Sequence, residues 1–173
     1  VTRTQGYWFN HIIAPKGINP AGCATLSAVF AQLGTINLGF TTVNLDQAIG
    51  MFWTKGPSTP LCQARQKLAT QLIAAVANAT LLNTPGTACV RNANDIIAAA
   101  QTAAAGCDIA AITAAKSALD AFNNSGDALS FPAGLGACGA GKENKDFIAA
   151  HSVAPGQLLE ESNHDPKSWK THD

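Results

Sequence analysis

The stretch "PLCQARQKLATQLIAAVANA", residues 60 to 79, decides the fold. Pro60 follows Ser58 and Thr59, the residue types that open helices. Leu61, Ala64, Leu68, Leu72, Ala75 and Ala79 then recur every three or four residues, which predicts one apolar stripe on a long helix. "NTPG" at 83–86 ends it. A second helix is expected from about Ala88 to Ala105, with Ile96, Ile97 and Ala100 inward, stopped by Gly106. Asp108 caps a third, in which Ile109, Ile112, Ala115, Leu119 and Phe122 share a face until "NNSG" at 123–126. Three helices with short links predict an antiparallel bundle.

Upstream, "AGCATLSAVFAQLG" (21–34) reads as a helix ending at Gly34. "TINLGFTTVNL" (35–45) is rich in Thr, Ile, Val and Phe around Gly39, the pattern of a β-hairpin. A short helix follows, with Asp46 as its expected cap. Residues 1–20 carry Gly6, Pro15, Gly17 and Pro20 and read as irregular. Downstream, "FPAGLGACGAG" (131–141) is turn-rich, "KDFIAAHSV" (145–153) forms one short helix, and the chain from Pro155 is too polar to order itself alone. The expected fold is therefore mainly α: an antiparallel bundle of about four to six helices, a hairpin near 35–45 and an irregular tail. Residues 1–128 form the helical domain, and 129–173 a Gly-rich connector with a polar C-terminal extension.

Composition narrows the function. The 173 residues hold 11 Lys+Arg against 11 Asp+Glu, so the net charge is zero and no basic face for nucleic acid is expected. Charged residues make up only 13%, which fits either a surface packed against neighbours or an Ala-rich composition that displaced charge. No run of about 18 apolar residues predicts a membrane span. Val1, with no initiator Met or signal peptide before it, reads as a processed start.

Five cysteines stand at 23, 62, 89, 107 and 138, without a Cys-x-x-Cys pair. Such spacing points to disulfides in an oxidising compartment rather than to zinc. Cys89 and Cys107 flank one helix and would lie about 27 Å apart, beyond the ~7 Å reach of a disulfide. Bundle geometry instead pairs Cys62 with Cys107 and Cys89 with Cys138. Cys23 is left over, either buried or available to another chain.

Three stretches resemble a family of uncharacterised secreted bacterial domains that begins with T-Q-G-[YF]-W-K-x-H. They are Thr4-Gln5-Gly6-Tyr7-Trp8-Phe9-Asn10-His11, the hairpin "INLGFTTVN", and "KLATQLIAAVANAT" (67–80) with "LDAFNNSGDA" (119–128). Phe9 stands where the family carries Lys, while Trp169-Lys170-Thr171-His172 near the C-terminus supplies a W-K-x-H. The resemblance implies export and an extracellular or cell-surface setting, without a mechanism.

No nucleophile, base and orienting acid can be assembled from the four histidines, which lie in irregular or terminal segments, so a non-catalytic protein without a cofactor is expected. "GLGACGAG" (134–141) lacks the Lys-Ser/Thr of a phosphate loop and reads as a connector. His164, Asp165 and His172, with His11 from the other end, are the only candidate metal ligands. No i, i+4 histidine pair fixes a geometry for them, and a solvated tail is the expectation. Asn78-Ala-Thr80 and Asn123-Asn-Ser125 match the glycosylation acceptor pattern.

Trp-x-x-His occurs at both ends, as Trp8 with His11 and Trp169 with His172. Tyr7 and Trp8 would pin a loop to the bundle while His11 satisfies a backbone carbonyl, or the same residues would anchor an interface. Trp169 has no local core and must find a surface. Tyr7, Trp8, His11, Trp169 and His172 are thus the expected interface. The functional expectation is an extracellular structural subunit that polymerises with itself, head to tail, into a surface filament. The alternative is a monomeric module that binds surface glycan through Tyr7, Trp8 and Trp53.

Overall fold

The computed structural model describes residues 1–83 and 88–161, with all their side chains except those of 88–91 and 160–161. Among the described residues the chain is mainly helical. The helices are α1 (Gln5–Asn10), α2 (Leu26–Leu33), α3 (Leu45–Trp53), α4 (Pro60–Ala77), α5 (Ala88–Ala105), α6 (Ile109–Ser125), α7 (Lys142–His151) and α8 (Gly156–Glu161). Between α2 and α3, β1 (Ile36–Asn37) and β2 (Thr42–Val43) pair antiparallel, with Ile36 opposite Val43. Bundle and hairpin stand where the sequence puts them, and the described residues hold eight helices where about four to six were expected.

The long helices begin and end as their chemistry dictates. Thr59 caps α4 by accepting the Cys62 N–H, and Asp108 caps α6 by accepting the Ala111 N–H. The packing of α4 differs from the single stripe predicted. Cys62, Arg65, Leu68, Ala69, Leu72, Ile73, Ala75 and Ala77 are all buried, so most of the helix circumference is covered. It is the axis of the molecule, contacted by α1, α3, α5, α6 and α8. An axial helix has no single dry face, and periodicity finds only helices that have one. Beyond Ala77 the chain continues as a π-helical turn, Asn78–Leu82. On α6, Ile109 was expected inward but is exposed, because it lies in the first turn beyond the end of the core.

Local caps corrected three further expectations. The N-terminal segment is not irregular: Thr4 accepts the Tyr7 N–H and starts α1. The helix expected from residue 21 starts at Leu26, because Thr25 caps it by accepting the Ala28 N–H. Before it, Pro20–Gly22 is a 3-10 turn and Cys23 forms a parallel bridge with Gly136. At α3 the cap is Asn44 rather than Asp46. Asn44 and Gln47 bond reciprocally as a capping box, while Asp46 lies in the first turn.

Residues of the segment 129–161 pack against the helical domain. Gly136 donates to the Gly22 carbonyl and accepts the Ala24 N–H, both at 2.9 Å. Asn144 of α7 is buried; its Oδ1 accepts the Ile12 and Ile13 N–H groups and its Nδ2 donates to the Asn10 carbonyl. Leu159 of α8 is fully buried in the common core. Between Gly156 and Glu161 the polar run is helical because a neighbouring core, absent from any local reading, receives that leucine.

The disulfide differs from both expected pairs. Cys23 is joined to Cys138, 115 residues away, with Cα atoms 5.5 Å apart. The Cys89 side chain lies outside the described residues. Cys62 and Cys107 are not bonded to each other. The bundle brings both to the same end, but Arg65 interacts with each of them. Cys23 therefore staples the connector onto the start of α2, a contact that spacing in the bundle could not reveal.

Candidate functional site

The N-terminal motif is spent inside the fold. Trp8 is fully buried, and its Nε1 donates to Asn78 Oδ1 at 3.1 Å. Asn78 Oδ1 also accepts the Arg3 N–H, while Asn78 Nδ2 donates to the Arg3 carbonyl and to Asn123 Oδ1. Asn123 Nδ2 donates in turn to Gln71, whose Nε2 reaches Asp120. This buried network ties residues 1–8 to α4 and α6. Both acceptor asparagines of the glycosylation patterns are its central members and are fully buried, so neither side chain can carry a glycan in the folded protein.

Tyr7 stacks on His11 with ring centroids 3.9 Å apart, and its hydroxyl donates to the Ala24 carbonyl. Burial pushes the Tyr7 phenol up to about 12, opposed by the nearby Arg3 charge. His11 Nδ1 lies 2.7 Å from the Tyr7 carbonyl oxygen, so that nitrogen carries the proton. Of the expected interface residues, then, Tyr7, Trp8 and His11 are engaged with their own chain. Trp169 and His172 lie outside the described residues, as do the candidate ligands His164 and Asp165. Among the described residues no cluster of three His, Cys, Asp or Glu side chains surrounds a metal-sized space.

One acid–base pair escaped the sequence reading. His151 Nδ1 lies 3.3 Å from Asp46 Oδ1, each side chain a little over two-fifths exposed, and Phe147 stacks on the imidazole. The adjacent Ser152 hydroxyl donates to the Ile148 carbonyl and is not aimed at the ring. The pair joins α7 to α3.

Two grooves mark the surface. The first is mainly apolar and runs beside the N-terminal segment, walled by Ile13, Pro15, Ile18, Pro20, Ala28 and Ala31 with Lys16, Thr25 and Ser27 also lining it, and has a volume of about 380 Å³. It shares Pro20, Ala28 and Ala31 with a neighbouring hollow of about 340 Å³ that reaches Leu81 and Leu135. Ile18 stands half exposed at its edge.

The second groove crosses α4. On one side Phe52, Trp53 and Lys55 face Gln63, Lys67 and Thr70 across about 330 Å³. On the other, Gln63 and Lys67 face Ile109, Thr113 and Lys116 across about 260 Å³. Trp53 is 46% exposed yet fixed: its Nε1 donates to the Phe9 carbonyl at 2.9 Å and its ring meets Phe9 edge-on. Gln66 holds the rim by donating to the Met51 and Thr54 carbonyls and accepting the Gly56 N–H. Trp53 does not share a face with Trp8, so the expected aromatic trio of Tyr7, Trp8 and Trp53 does not exist as one surface. The lysines were missed. Their signal was the polar stripe Gln63, Lys67, Thr70 on an otherwise buried helix.

Compared with known proteins, no family model, no curated sequence and no solved structure matches the chain. No described helix is long and apolar enough to cross a membrane.

Proposed function

We propose that the protein is a non-catalytic extracellular structural subunit that assembles with itself, head to tail, into a filament-like polymer. The observation that carries this reading is the mainly apolar groove between residues 13–20 and α2, which the described chain leaves unfilled. Its occupant is the C-terminal segment 162–173 of a second copy, with Trp169 as the anchor. A tryptophan in a polar segment gains most from such a pocket, and aromatic anchors dominate interface energetics. A groove and a tail are different surfaces, so the contact between them is heterologous and gives an open polymer unless the rotation closes. The Cys23–Cys138 disulfide supports an oxidising compartment, and the resemblance of residues 2–128 to secreted domains supports export.

Electron microscopy of the full chain, of a chain ended at Glu161 and of Ala31→Glu tests this. Ending the chain at Pro155 would remove Leu159 from the core and confuse assembly with folding. Filaments are expected from the full chain and from neither variant. Monodisperse particles from the full chain would overturn the proposal, and so would filaments that survive loss of residues 162–173.

A further inference from the structure

The groove across α4 has a composition that the polymer contact does not use. Its walls hold three lysines, Lys55, Lys67 and Lys116, and no carboxylate. No described Asp or Glu lies within ion-pair distance of any of them. In a chain of zero net charge, three lysines along one groove with no carboxylate in its described lining are a local excess. An exposed indole held rigid from behind stands at one end, and exposed Ile109 at the other. Between them lie the amide of Gln63 and the hydroxyls of Thr70 and Thr113.

We propose that this groove binds an anionic polysaccharide, one whose sugar rings carry carboxylate or sulfate groups. The apolar face of a pyranose ring stacks on Trp53, whose orientation is already fixed, so little conformational entropy is lost on binding. Lys55, Lys67 and Lys116 pair with successive acidic groups along the chain, while Gln63, Thr70 and Thr113 meet sugar hydroxyls. A linear polymer fits because the two halves share Gln63 and Lys67 and form one track rather than a closed pocket. Neutral glycan would leave the lysines without partners, and a simple polyanion would leave the indole without one. The site needs none of residues 162–173 and does not depend on the polymer reading.

The test uses the full chain and three probes of similar length: oligogalacturonate, neutral dextran oligosaccharide and polyglutamate. Binding is followed by isothermal calorimetry and by tryptophan fluorescence at low and moderate salt. Oligogalacturonate is expected to bind and to weaken with salt, with dextran and polyglutamate at least about tenfold weaker. Trp53→Ala is expected to cost about tenfold toward oligogalacturonate. Because Trp53 also packs on Phe9, the pair Lys67→Gln and Lys116→Gln, on exposed and half-exposed helix positions, gives the second reading and should cost a similar factor without loss of helicity. Equal binding of polyglutamate and oligogalacturonate, or no effect of either variant, would overturn the proposal as unspecific charge attraction. Absence of oligogalacturonate binding would overturn it outright.

Discussion

Asn78 spends all its bonding capacity on the N-terminal segment and on Asn123. Replacing it with Leu would strand the Trp8 Nε1–H, the Arg3 backbone groups and Asn123 Oδ1 in the interior. Each stranded buried group costs about 1–3 kcal/mol, so Asn78→Leu is expected to lose more than about 3 kcal/mol in urea unfolding. Tyr7 gives a pH signature. Its folded-state value of about 12 lies above the ordinary 10.0, so the folded state holds the phenol proton longer than the unfolded chain. The contribution is complete below pH 10 and is lost as pH rises toward 12. Tyr7→Phe should flatten that part of the stability profile and cost about 1 kcal/mol below it, from the lost bond to Ala24. Arg65 is fully buried. It donates to the Ala104 and Gly106 carbonyls at the end of α5, and burial pushes its guanidinium down from its usual value. Arg65→Leu removes these charge-assisted bonds from that helix end and should cost about 3 kcal/mol by the same measurement.

Among the elements, α3 shows how local propensity and packing oppose each other. Gly50 lies inside this helix, where Ala would ordinarily be favoured by about 1 kcal/mol. A Cβ at Gly50 would collide with the Val153 carbonyl oxygen, which belongs to the turn leaving α7. Gly50→Ala is therefore expected to lower the thermal midpoint, with a net cost of about 1–2 kcal/mol, instead of raising it. The same close approach holds the hairpin on α5: Gly39, at φ 87°, would meet the Gln101 carbonyl with any side chain. Extents of α4, α5 and α6 were legible because caps and breakers, Thr59, Asp108 and Gly106, are local chemistry. The buried circumference of α4 was not, since only its neighbours decide which of its faces are dry. α1 and α8 were missed for a related reason: six residues carry too little periodicity to read, and each is held by distant partners, among them Asn78 for Trp8 and the core for Leu159.

At the scale of the molecule, the Cys23–Cys138 bond closes a loop spanning most of the chain. Loops of about 100 residues gain about 3–5 kcal/mol from such a bond in the chain-entropy account. Peptide mapping under non-reducing conditions should link Cys23 with Cys138, and Cys138→Ser should lose about 3 kcal/mol while leaving helix content unchanged. The two grooves flank this stapled body on separate sets of residues, one mainly apolar beside α2 and one cationic across α4. Assembly and glycan retention would then coexist in one subunit, as a surface polymer that also holds acidic polysaccharide would require.

The sequence by itself determined the fold class, the hairpin around Gly39, the three long helices and the caps of α4 and α6. These depend on hydrogen bonds and φ preferences within a few residues. Only the tertiary structure decided that Trp8 points inward, that Cys23 takes Cys138, that Asn78 and Asn123 are structural rather than modifiable, and that the lysines of α3–α4 and α6 line one groove with Trp53. Most of those rest on partners more than 40 residues apart, as Lys67 and Lys116 are in the groove. Their free energy comes from burial and from bonds that exist only once the helices have packed, and no local pattern records which helix will supply the other half.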